Sequence, residues 1–130
     1  MIVKQLSVFL ENKQGRLCAA TDVLAKAGIN ISALSLADTA EFGILRLIVD
    51  QPELARDVLT ESGVVVRISE VIAVAMNDAP GGAGGILHLL SEAGINVEYM
   101  YALSIAGEEA TIVLKPSDVQ KACQAFGNLA

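Results

Sequence analysis

One histidine and two cysteines are the whole stock of imidazole and thiol metal ligands in this 130-residue chain. Structural and catalytic zinc sites draw three or four ligands from His, Cys and carboxylates. With no Cys cluster and no C-x-x-C pair, a transition-metal site is not expected. Cys18 and Cys123 each stand among apolar residues in stretches of helical periodicity. Two buried, reduced thiols are the expectation. Positive charge is also scarce. Nine Lys and Arg are spread thinly against fifteen Asp and Glu, for a formal net charge of −6. Direct nucleic-acid binding needs concentrated cations for the phosphates, so it is not expected. Long apolar runs are missing as well. Roughly 18–20 residues are needed to span a bilayer. The longest candidate, Val64 to Met76, is broken by Arg67, Ser69 and Glu70. The start, Met-Ile-Val-Lys-Gln, lacks the charged-then-apolar layout of a signal peptide. A cytoplasmic location with no membrane contact is the expectation.

What the chain does have is repetition. Asn12-Lys-Gln-Gly15 has a counterpart in Asp78-Ala-Pro-Gly81, and Ala27-Gly-Ile-Asn30 has one in Ala93-Gly-Ile-Asn96. Both pairs share one offset of 66 residues (78 − 12 and 94 − 28). A constant offset of that size indicates two copies of one small unit. With 53% hydrophobic residues, the chain has ample material for a core.

Periodicity supplies the elements. Val3 to Leu10 reads as a strand, and Leu17, Ala20, Leu24 and Ala27 recur at helical spacing up to Gly28. Ile29 to Ala37 and Phe42 to Val49 read as strands around a turn at Asp38 to Glu41. Pro52 opens a helix with Leu54, Ala55, Val58 and Leu59 on one face, Gly63 closes it, and Val64 to Ile68 is β-branched. The order β-α-β-β-α-β is that of a ferredoxin-like sandwich. The second copy gives a strand at Val71 to Ala75 and a helix on Ile86, Leu89, Leu90 and Ala93. Strands at Ile95 to Ala102 and Ala110 to Leu114 follow, around a turn at Gly107 to Glu109. Pro116 and Ser117 open a last helix, with Val119, Ala122, Cys123 and Phe126 inward. Only three residues follow Gly127, so the second copy has no room for a fourth strand. The fold expected is α+β: two ferredoxin-like units, residues 1–69 and 70–130, with antiparallel sheets and helices on one face.

These residues resemble the ACT domain, a small regulatory ligand-binding module of amino-acid metabolism. The resemblance rests on Asn12-Lys-Gln-Gly15-Arg-Leu17 with Lys26-Ala-Gly-Ile-Asn30, and on Asp78-Ala-Pro-Gly81-Gly82 with Glu92-Ala-Gly-Ile-Asn96. It covers nearly the whole chain, and two copies in register make it specific. Gln14 stands where the pattern has Pro, and the last strand is missing. In such modules the ligand sits between the first turn of one unit and the second strand of its neighbour. The resemblance therefore implies ligand-binding roles for Asn12, Gly15, Asn30 and Ile31, and for Asp78, Pro80, Gly81, Gly82, Asn96 and Val97. It implies a free amino acid or similar small ligand, a homo-oligomer, and an enzyme of amino-acid metabolism as candidate partner, with no cofactor.

Turn chemistry supports this reading separately. Glycine at a strand-to-helix junction lets backbone approach a ligand. The N–H groups of a first helical turn attract a carboxylate. Asn12 both donates and accepts, and Asp78 accepts from an ammonium group. The alternative is that Asn12, Gly15, Asp78 and Gly81 only cap helices and shape turns. The run Pro80 to Gly85 reads as a loop. It does not complete G-x-G-x-x-G, and no G-K-[ST] follows. Tyr99 and Tyr101 share one face of their strand, with Met100 on the other. They either line a specificity pocket or pack the sheet. His88 falls opposite the apolar stripe of its helix and is expected in solvent. Arg46 and Arg67 are left between ion pairs and carboxylate binding. No Ser/His/Asp set, no Cys–His pair and no metal cluster stands out, and Arg16 does not sit in an acylphosphatase-type loop. The expected function is a non-catalytic sensor that binds a small metabolite. The alternative is an interaction module or regulatory subunit without a ligand.

Overall fold

The computed structural model describes residues 2–11, 13–38, 42–77, 81–106 and 109–127. Ten elements follow one another: β1 (Ile2–Glu11), α1 (Arg16–Lys26), β2 (Ile31–Asp38), β3 (Phe42–Val49), α2 (Pro52–Glu61), β4 (Val65–Asn77), α3 (Gly82–Glu92), β5 (Val97–Ala106), β6 (Glu109–Pro116) and α4 (Val119–Phe126). The chain divides into two compact units, one of Lys4–Ser69 and one of Glu70–Ala130 together with the first residues of β1.

In the unit Lys4–Ser69 the strand order is β2-β3-β1-β4. β3 runs antiparallel to β1 and β2, with Leu47 opposite both Leu6 and Leu34, and Leu45 opposite Val8 and Leu36. Alternation puts Leu6, Val8, Leu10, Leu45, Leu47 and Val49 on one face, where Ala20 and Leu24 of α1 and Ala55 and Leu59 of α2 complete the core. Leu17 and Leu54, expected inward, are instead 38% and 40% exposed. They are the second and third residues of their helices, in the first turn, so the stripe narrows to two buried positions per helix.

The other unit repeats the plan with the order β1-β4-β6-β5. Ile72, Val74, Ile112 and Leu114 meet Ile86 and Leu90 of α3 and Ala122 and Phe126 of α4. Among the described residues no strand follows α4. β1 lies beside β4 in the sheet, and its first residues, up to Val3, group with this unit. The edge that the sequence leaves open thus has β1 beside it.

Three expectations are corrected. Val64 to Ile68 and Val71 to Ala75 are not separate strands. They belong to the single thirteen-residue β4, because Ser69-Glu70 offers no glycine or proline to turn the chain. Pro116 does not open the last helix. It ends β6 opposite Val97, a strand terminus where its missing N–H costs nothing. Asp118 caps α4 instead, its carboxylate accepting from the Lys121 N–H at 3.0 Å. Cys18 is exposed and Cys123 half-buried, because Cys18 lies on the side of α1 away from Ala20 and Leu24. No helix among the described residues is long and apolar enough to cross a membrane. The turns at Asp38 to Glu41 and Gly107 to Glu109 fall largely outside the described residues.

Candidate functional site

Each copy places a left-handed glycine at the junction of its first strand and first helix. Gly15 caps α1 with φ 86° and ψ −10°, and Gly81 caps α3 with φ 86° and ψ −2°. A side chain is strained in this region, so glycine is the residue the turn selects. The Gly15 carbonyl accepts from Ala19 N at 2.9 Å, and the Gly81 carbonyl from Gly85 N at 3.0 Å. Intrahelical bonding in α3 therefore starts at Gly85. The N–H groups of Gly82, Ala83 and Gly84 lie ahead of it, at the positive end of the helix dipole. Asn12, Asp78 and Pro80 fall outside the described residues.

The glycine run is not a loop, as its composition suggests, but the first turn of α3. Ile86 and Leu90 anchor that helix in the core, and their burial outweighs glycine's poor helix propensity. A Cβ built at Gly81, Gly84 or Gly85 meets nothing within 4 Å. Side chains at these three positions would thus have room, although Gly82, Ala83 and Gly84 are half-buried.

The first turn of α1 is furnished differently. Glu11, at the end of β1, holds Lys13 Nζ at 3.0 Å and lies 4.0 Å from Arg16 Nη2. The hydrogen bond and charge of Lys13, with the charge of Arg16, keep the Glu11 carboxyl below its ordinary value. Beside it a cleft of about 280 Å³ runs over Ala19, Ala20 and Val23 of α1, between Phe42 and the Ser62–Val65 segment, with Arg16 and Glu11 at its rim. A smaller hollow of about 80 Å³ lies between Arg16, Leu17, Leu36 and Gly43. Sequence reasoning missed Glu11, Phe42 and this cleft. A faint signal existed, since Glu11, Lys13 and Arg16 have Asn77, Ala79 and Gly82 as their counterparts 66 residues on.

The starts of β2 and β5 match each other closely. Asn30 N–H donates to Asp50 Oδ1 at 3.0 Å, and Asn96 N–H donates to Ser117 Oγ at 3.2 Å. Their carbonyls accept from Asp50 N and Ser117 N. The register then shifts between Ile31 and Ala33, and between Val97 and Tyr99. These backbones are occupied by the fold, while the Asn30 and Asn96 side chains face solvent and Ile31 and Val97 are half-buried. Within a unit, Gly15 and Asn30 stand at opposite ends of the eleven-residue α1, and Gly81 and Asn96 at opposite ends of α3. Eleven residues rise about 16 Å. One unit by itself therefore does not bring its expected turn and strand start together.

Tyr99 and Tyr101 are half-buried on one face of β5, opposite Lys115 and Val113, and Met100 is 36% exposed on the other. Lys115 Nζ pairs with Glu98 at 3.3 Å. His88 is exposed, as expected, Arg46 is half-buried in β3, and Arg67 is exposed.

Comparison with known proteins agrees with the duplicated turn. A family model described as an ACT domain pair matches residues 1–126. The fold is similar to a solved structure of a protein from Bacteroides thetaiotaomicron, at 41% identity and a TM-score of 0.92, covering 98% of this chain and 88% of that one. It is also similar to the ligand-free regulatory subunit of aspartate kinase from Thermus thermophilus, at 12% identity and a TM-score of 0.70, covering 99% and 97%. The regulatory subunit of aspartate kinase from Thermus flavus has 13% identity and a TM-score of 0.67, covering 99% and 95%. A search of curated proteins returns no match.

Proposed function

The chain belongs to the ACT domain family, as an ACT domain pair, and from this we propose that it is a non-catalytic regulatory sensor for a free amino acid. The observation that carries the proposal is the first turn of α3. Its N–H groups precede the first intrahelical bond, its side chains stop at the methyl of Ala83, and a Cβ at the glycine cap would meet nothing within 4 Å. A carboxylate binds well at such a terminus. Asp78, just before the cap, supplies the acceptor for the ammonium group. Pro80 and Gly82 flank the cap in sequence, and a strand start of the kind at Asn30–Ile31 or Asn96–Val97, from a second copy of the chain, is the other wall proposed. The first turn, with Asn12 and Gly15, is the lesser candidate, because Glu11, Lys13 and Arg16 already crowd it with charge.

Binding would act by favouring one arrangement of units or subunits, which a partner then reads. An enzyme of amino-acid metabolism is the partner class that fits, given the fold shared with regulatory subunits of aspartate kinase. A homo-oligomer in the cytoplasm completes the proposal. Leu34 and Leu36, 55% and 50% exposed on β2 at the end of its sheet, support self-association, since exposed edges and apolar patches are usually covered. The same leucines favour the second reading, an interaction module without a ligand.

Calorimetry against the common amino acids tests both readings. One amino acid should give heat, and Asp78→Ala should cost about 1–3 kcal/mol of binding, with folding intact. Heat with none of them would leave the interaction module. Unchanged affinity in the variant would move the site elsewhere.

A further inference from the structure

The two copies have diverged at the same structural place. The α1 turn carries Glu11, Lys13 and Arg16 where the other copy has Asn77, Ala79 and Gly82, and it opens into the 280 Å³ cleft. We propose that this cleft, within the unit Lys4–Ser69, is a second binding site that takes a small monocarboxylate with a branched or aromatic apolar tail. It is a site distinct from the amino-acid site at Gly81 and does not depend on it.

The walls define the tail. Ala19 and Ala20 leave α1 shallow there, and Phe42, Val64 and Val65 face the space. Phe42 is 47% and Val65 63% exposed. Large apolar residues left in solvent around a concave surface mark a ligand site more often than chance packing. The volume fits on the order of ten non-hydrogen atoms, at about 30 Å³ each.

The rim defines the head group. Lys13 and Arg16 together exceed the single charge of Glu11, and the first turn of α1 adds the positive end of its dipole and carries no acidic residue. An anion is favoured there. Arg16, 52% exposed and 4.0 Å from Glu11, has donors to spare for a carboxylate. The Ser62 hydroxyl is already donated to Leu59 O at 2.7 Å, so it offers the ligand no proton. Both cations meet Glu11 through Oε2, and their two charges against its one leave the rim net positive, which favours an anion over a zwitterion. The cleft thus selects a carboxylate without an amine.

The test uses the full chain, labelled with ¹⁵N, and titration with 4-methylpentanoate and 3-phenylpropanoate. Their uncharged amides and the amino acids leucine and phenylalanine serve as comparisons. Binding should be on the order of a millimolar for ligands this small. Amide signals should shift at Ala19, Val23, Gly63 and Val65. Arg16→Gln should weaken binding about tenfold or more, and Arg16→Lys should recover part of it. Ala19→Phe, on the exposed side of α1, fills the cleft from outside the core and should abolish binding while leaving the rest of the spectrum in place. The inference is overturned if neither carboxylate shifts these signals, if Ala19→Phe binds normally, or if the amides or amino acids bind here as well as the acids. Shifts confined to Gly81–Gly84 would also overturn it. Because the two sites report at different amides, failure of one is distinguishable from failure of the other.

Discussion

Two glycines three residues apart should respond to the same substitution with opposite sign. Gly81 has φ 86° and caps α3, whereas Gly84 lies within the helix without a positive φ. A Cβ at either meets nothing within 4 Å, so sterics with the rest of the fold cancel out of the comparison. What remains is backbone conformation. Gly81→Ala forces alanine into the left-handed region, at a cost of about 1–2 kcal/mol. Gly84→Ala replaces the residue that loses most entropy on entering a helix with the best helix former, and should gain about 1 kcal/mol. The twins should therefore differ by about 2–3 kcal/mol. That is a gap of several degrees in Tm for a chain of this size, and a clear shift in urea midpoint at unchanged slope. Amino-acid affinity adds a second readout. Gly84→Ala puts a methyl on that turn, so it should weaken binding while the protein becomes more stable. A destabilised Gly84→Ala variant would refute the helical placement of the glycine run. A neutral Gly81→Ala variant would refute the left-handed cap.

The acid side of the stability curve should involve Glu11. Its folded-state pKa is lowered, chiefly by the hydrogen bond from Lys13, so its contribution is in place above the ordinary 4.5 and is lost as pH falls through the lowered value. Lys13→Gln should flatten that acid limb in urea titrations run at several pH values, and an unchanged limb would exclude Glu11 as a contributor. Asp50→Ala and Ser117→Ala each remove the acceptor of an asparagine N–H. Each should lower stability by about 0.5–1.5 kcal/mol and speed hydrogen exchange at Asn30 or Asn96, while exchange that stays slow would show another acceptor.

The sequence by itself determined the duplication and the type of nearly every element. Those signals are local. A left-handed glycine at Gly15 and Gly81 is dictated by the turn it sits in, and Ile86, Leu90 and Ala93 point inward because the helix period puts them together. The match of both copies to the ACT pattern needed no tertiary information either, since it rests on spacing. Tertiary structure decided what depends on distant partners. Nothing near Ser69-Glu70 says that β4 runs through as one strand. Its neighbours on either side hold it extended. β4 has β1 as its neighbour, and the first residues of β1 group with the second unit, a long-range association that no local pattern encodes. Gly82 to Gly85 become helical only because the residues after them are buried. Leu17 is left partly exposed in the first turn of α1, and Cys18 faces solvent on the side of α1 away from Ala20 and Leu24. The cleft rimmed by Glu11 and Arg16 likewise collects residues from β1, α1, β3 and the start of β4. Each is unremarkable in its own segment, and only the packing of those segments puts a cation over an apolar hollow.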